Sequence, residues 1–228
     1  MIRIQTFRSA FVAGVLAMTT CFGVTCFGVT QAEETGVVRV YVLAGQSNME
    51  GKAKNSLWDH QATDESTRET FAHLRNGDQW VERDDVWIKY LGRQGKLTLG
   101  YGSRDRTGAE FEFGNVLGDR HDDPVLLIKT AWGGHSLYKK FRSPSNPPSD
   151  ELLQEDLSRQ VEQTKRRNEK RNENNPLPTL EQVRGEYGTS YADMINEVNQ
   201  VRENLDSLFP ELKGREFKVS GFFWFQGW

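Results

Sequence analysis

The chain has 228 residues, a formal net charge of -3 and two cysteines. That charge gives no electrostatic case for nucleic-acid binding. Cys21 and Cys26 both fall near the amino terminus, so everything after them must be stabilised by a packed core and not by disulfides.

Residues 1–32 read as a secretory signal. Arg3 and Arg8 give a basic start, Ala10 to Val29 are mostly apolar or small, and Thr30-Gln31-Ala32 offers a small-residue cleavage site. Thr19, Thr20 and Thr25 interrupt the apolar stretch, so cleavage is expected over a retained anchor. The unit Cys-Phe-Gly-Val-Thr occurs twice there, and Val24-Thr25 is a poor approach to a lipidated Cys26. The expected location is secreted or periplasmic, with no stable membrane anchor and no nucleic-acid partner. Residues 33–228 are long enough for one α/β domain.

Four segments read as strands of a mostly parallel sheet: Val37 to Leu43, Asp85 to Leu91, Pro124 to Thr130, and Val219 to Gln226. Each is a short apolar or β-rich run without strict alternation, the pattern of strands covered on both faces. Between them, Glu110 to Asp119 reads as a short helix whose Gly114 and Gly118 permit close packing. Tyr191 to Phe209 is the clearest helix, with Met194, Ile195, Val198, Val201, Leu205 and Leu208 at helical spacing before Pro210 stops it. Lys139 to Gly188 is a polar insertion, expected as an exposed helix and loop over one edge. Its basic run at Lys165-Arg166-Arg167 is diluted by Glu162, Glu169 and Glu173, so a surface helix is expected over a patch for acidic glycans.

Chemistry concentrates where the strands end. Gly45-Gln46-Ser47-Asn48-Met49 follows the first strand, and a strand that stops at glycine and delivers a serine into a polar turn can present a nucleophilic hydroxyl. Serines beside glycines also occur in ordinary turns, so this motif alone is weak. Trp132-Gly133-Gly134-His135-Ser136 follows the third strand, where a glycine lets a backbone N–H approach a ligand. Gln226-Gly227 ends the fourth, and its side-chain amide could be a further donor. Acyl transfer needs a nucleophile, a base and donors aimed at the developing oxyanion, and two of these three needs are met at strand ends.

At these residues the chain resembles the SGNH hydrolase superfamily, in its sialate O-acetylesterase and acetylxylan esterase branch. Gly45 to Met49, Ala131 to Ser136 and Trp224 to Gly227 look like its first three blocks, and Glu110-Phe111-Glu112-Phe113-Gly114 resembles the acidic-glycine helix start between them. The resemblance implies a three-layer, flavodoxin-like α/β sandwich that removes O-acetyl groups from sugars without a metal or other cofactor. It implies that Ser47 attacks the acetyl carbonyl. The amides of Ser47 and Gly134 and the side chain of Gln226 would form the oxyanion hole. Gln46, Asn48, Trp132, Gly133 and His135 of the same blocks are expected to contact an acetylated carbohydrate. Trp132, Tyr138 and Trp224 offer an aromatic rim for sugar stacking.

The branch draws its base and orienting acid from an Asp-x-x-His block downstream of the third block. No Asp-x-x-His spacing occurs here, and Trp228 stands where the branch usually has an acidic residue. Of His60, His73, His121 and His135, only His135 lies near the expected site. A truncated domain is therefore expected, from a gene product continuing through another helix and strand to a loop bearing Asp and His, with this portion weakly active or inactive alone. The alternatives are a non-catalytic glycan-binding protein with a degenerate pocket, or another SGNH activity such as a lipase or thioesterase.

Overall fold

The computed structural model describes residues 36–227, so the expected signal sequence and both cysteines lie outside the described residues. Five strands form the main sheet: β1 (Val37–Gly45), β2 (Val86–Tyr90), β3 (Arg93–Lys96), β4 (Val125–Ala131) and β5 (Glu216–Phe225). Their spatial order is β3-β2-β4-β1-β5. All neighbours run parallel except β3, which folds back on β2 as a hairpin.

The helices include α1 (Ser47–Glu50), α2 (Asn55–Thr63), α3 (Glu110–Arg120), α4 (Asp150–Arg171), α5 (Leu180–Gly185) and α6 (Thr189–Glu203), with single turns at Arg68–Phe71 and Leu205–Leu208. Alternation along the inner strands sends side chains into two separate apolar layers. Val38 and Val40 of β1, with Leu126 and Ile128 of β4, pack against Val201 of α6 and against Leu205, Phe209 and Leu212 beyond it. Leu43, Val125 and Leu127 point the other way, onto Met49 of α1 and Phe111 of α3. The result is the expected three-layer α/β sandwich with a mostly parallel sheet. Asn204 interrupts the helix expected over Tyr191 to Phe209, which resumes as a single turn at Leu205–Leu208.

The strand expected at Val219 to Gln226 begins earlier, at Glu216, and lies at the sheet's edge, where Val219, Phe222, Phe223 and Phe225 are exposed. Its ladder with β1 contains a bulge: Val40 pairs with Val219 and Tyr41 with Gly221, leaving Ser220 as the extra residue.

Lys139 to Gly188 contains α4 and α5, and it is anchored. Ser149 caps α4 by accepting the N–H of Leu152, and Leu153 and Asp156 are buried on its inner face. Lys139 donates to Asp156 at 2.6 Å, Arg159 pairs with the same carboxylate, and Tyr187 donates to it at 3.2 Å. Lys139 also pairs with Glu186. Lys165, Arg166, Arg167 and Arg171 lie on the exposed far end of α4.

Candidate active site

The site rests on register. Gly45, the last residue of β1, stands level with Ala131 at the end of β4 and with Phe225 at the end of β5. The three loops that carried the sequence motifs therefore leave the sheet side by side, at the carboxyl edge where open α/β sheets place ligands.

Ser47 starts α1 and is half-buried. Its side-chain hydroxyl donates to Oε1 of Gln46 at 2.5 Å, and its backbone N–H donates to the same oxygen at 2.7 Å. Gln46 is only 1% exposed, so its side chain is turned inward as a cap on the turn while Asn48 is exposed beside it. Gly227 closes over both. A Cβ there would stand 2.6 Å from Asn48 Nδ2 and 2.6 Å from Gln46 Nε2, so any side chain at this position would have to displace both amides. The first and third sequence motifs are thus in direct contact.

The loop after β4 supplies the third group. Gly134 is exposed with φ of 78°, a left-handed conformation that favours glycine. A Cβ at Gly133 would meet Glu50 Oε2 at 2.6 Å, so the acidic end of α1 lies directly against this loop; that carboxylate pairs with Lys52 at 2.8 Å. Trp132 stacks on the His135 ring with centroids 6.0 Å apart. His135 Nδ1 lies 2.6 Å from the Ser190 hydroxyl of α6, and Gln226 Nε2 donates to the His135 carbonyl at 3.4 Å. Burial, with Lys140 nearby, holds the His135 imidazole below the usual histidine range, against a smaller opposing pull from Asp193 and Glu50.

The other histidines are engaged elsewhere or lie on the surface. His121 bonds the Tyr41 hydroxyl at 2.8 Å, His73 bonds Glu112 at 2.9 Å, and His60 is exposed on α2. Among the described residues no histidine hydrogen-bonds to the Ser47 hydroxyl.

Two cavities border the loops of the site, one lined by Ser47 and the other by Gln226. One of about 380 Å³ is lined by Ser47, Asn48, Trp58, Thr107, Glu112 and Phe225. Another of about 790 Å³ is lined by Gln226 with Tyr138, Phe141, Arg142, Ser143 and Asn146. Sequence reasoning did not place Trp58, Thr107, Glu112 or the 141–146 wall at the site, and for all but Glu112 nothing in the local pattern marks them. Glu112 sits inside the helix-start motif, the one sequence signal that could have found it.

A family model described as carbohydrate esterase, sialic acid-specific acetylesterase, matches residues 37–173. No curated protein matches the chain. A solved structure of a protein from Arabidopsis thaliana aligns at 12% identity with a TM-score of 0.35. That alignment covers 83% of this chain and 57% of the Arabidopsis chain, so this chain spans less than two thirds of that protein's length.

Proposed function

The chain belongs to the carbohydrate esterase, sialic acid-specific acetylesterase family, and from that premise we propose that it is built to remove O-acetyl groups from sugars with Ser47 as nucleophile. The observation that carries the reading is the shared level of Gly45, Ala131 and Phe225, which gathers Ser47, Gly134 and Gln226 at one edge.

In this reading the Ser47 hydroxyl attacks the acetyl carbonyl, the sugar leaves as its alcohol, and water then hydrolyses the acetyl-enzyme. The Gly134 amide and the Gln226 side chain stabilise the oxyanion; each such donor is worth about 3–4 kcal/mol in the transition state. The Ser47 amide joins them once Gln46 Oε1 releases it. Trp132 and the walls of the two cavities contact the sugar. No base touches Ser47 among the described residues, so we propose weak turnover by this chain alone.

The test is hydrolysis of p-nitrophenyl acetate, and of an acetylated oligosaccharide, by the chain and by Ser47→Ala. Exogenous imidazole is added to replace a missing base. Imidazole-stimulated turnover that disappears in Ser47→Ala is the expected result. Stimulation equal in both proteins overturns the nucleophile assignment. The Ser47-to-Gln46 bond also suits a pocket that binds without reacting, and saturable binding of the acetylated sugar with no Ser47-dependent turnover would select that second reading.

A further inference from the structure

Lys129 lies in the middle of β4 with its side chain wholly excluded from solvent, facing Glu110, which is equally buried. An ammonium in such a place costs several kcal/mol unless every proton is bonded and a counter-charge is close. Both conditions are met. Lys129 Nζ donates to Glu110 Oε2 at 2.6 Å, to the Tyr101 carbonyl at 2.8 Å and to the Glu50 carbonyl at 2.9 Å, which accounts for all three protons. The face of the Tyr90 ring lies 4.7 Å from the ammonium. Glu110 Oε1 accepts the N–H of Gly108 at 2.8 Å. Burial holds the Lys129 ammonium below the usual lysine range, against the opposing pull of Glu110 and Glu50.

The acceptor on Glu50 gives this cluster a role beyond the core. The turn that carries Ser47 is only four residues long, closed by Glu50 N–H to Gln46 O at 2.8 Å and Gly51 N–H to Ser47 O at 3.1 Å. A helix that short has no stability of its own. Its last carbonyls have no partner within the helix, and Lys129 supplies one, with a positive charge at the end where the helix dipole favours it.

We propose that Lys129, held by Glu110, is the positioning residue for the Ser47 turn, its ammonium clamping the Glu50 carbonyl and thereby fixing where the Ser47 hydroxyl points. Its consequence for catalysis rests on the reading of Ser47 as nucleophile; the clamp itself can be measured without turnover.

The test compares the full chain with Glu110→Gln and with the double variant Lys129→Met/Glu110→Gln. The readouts are global stability in urea, amide exchange site by site, and the rate at which a fluorophosphonate labels Ser47 with imidazole present as the base. Removing both charges leaves no unpaired ion buried, so the double variant stays folded. In it, exchange at the Glu50 and Gly51 amides is expected to accelerate at least tenfold relative to the amides of β4, and Ser47 labelling is expected to fall in parallel. Glu110→Gln keeps the amine on Glu50 and Tyr101, so protection at those two amides survives although global stability drops.

Wild-type exchange at Glu50 and Gly51 in the double variant overturns the proposal and leaves the pair a core element only. Equal loss of protection in Glu110→Gln overturns it too, because the effect would then not belong to the Lys129 contact. If the wild-type chain is never labelled at Ser47 while the exchange pattern holds, the nucleophile reading fails and the clamp stands.

Discussion

The hydroxyl and the amide of Ser47 converge on one acceptor, Oε1 of Gln46, at 2.5 and 2.7 Å. A single buried side chain thus both caps the turn and holds the Ser47 hydroxyl proton. Gln46→Ala removes that acceptor, and the expected cost is about 1–2 kcal/mol of stability, the usual penalty for a lost cap or an unmet buried donor. Urea unfolding at neutral pH measures it. An unchanged midpoint would mean that the Gln46 contact contributes nothing net.

Gly227→Ala places a methyl 2.6 Å from the amide nitrogens of Gln46 and Asn48. Asn48 is exposed and can move aside; Gln46 is buried and cannot without breaking its bonds to Ser47. We expect a loss of about 1–3 kcal/mol, and a fall in Ser47-dependent acetate release larger than that caused by Asn48→Ala. The two variants assayed side by side, with imidazole present, decide it.

Gln226→Ala tests the third loop. Loss of one oxyanion donor typically costs 10²- to 10³-fold in kcat. That range is expected here, in the imidazole-supplemented assay, with KM little changed because the donor acts on charge that develops only in the transition state. A rise in KM alone would recast Gln226 as a residue that binds the sugar.

The pH dependence of stability has two limbs of different origin. For Asp156 burial alone would raise the carboxyl, but the bonds from Lys139 and Arg159 outweigh it and hold it below 3.8. Its stabilisation is present above pH 3.8 and disappears as pH falls through the lower folded-state value. The His135 imidazole is held below 6.5, chiefly by burial. The unfolded chain protonates there first, so stability declines as pH falls from 6.5 toward the folded-state value. Urea midpoints between pH 7 and pH 3 should show Asp156→Asn flattening the lower limb and His135→Gln flattening the upper.

The sheet was legible because β1, β2 and β4 are apolar runs bounded by charge or glycine, a pattern that strands buried on both faces leave in the sequence. The loops of the site were legible for a related reason: Gly45, Gly133-Gly134 and Gly227 each follow such a run. Lys129 was not. It was read as one residue in an apolar run, since the burial of a lysine is decided by partners at Glu50, Tyr101 and Glu110, far apart in sequence. The inward turn of Gln46 escaped for the same reason, because an amide on the residue just after a strand end has no local preference for facing in or out. Lys139 to Gly188 reads as polar surface, yet Asp156 within it is buried under Lys139, Arg159 and Tyr187.

Phe217 and Trp224 are seven residues apart on β5, an odd separation that in a regular strand puts two side chains on opposite faces. Both nevertheless pack in the layer formed with α6, Phe217 against the cluster that holds Val38, Val40 and Val201, Trp224 against that of Val42, Ala44 and Met194. Ser220 is the residue that reverses the parity. What this strand must preserve is therefore the facing of its side chains more than its composition. Those side chains can drift among apolar types, and dropping Ser220 would leave Phe217 and Trp224 an even number of residues apart in a regular strand, still on one face, so an alignment of relatives that needs a gap in β5 should place it at Ser220.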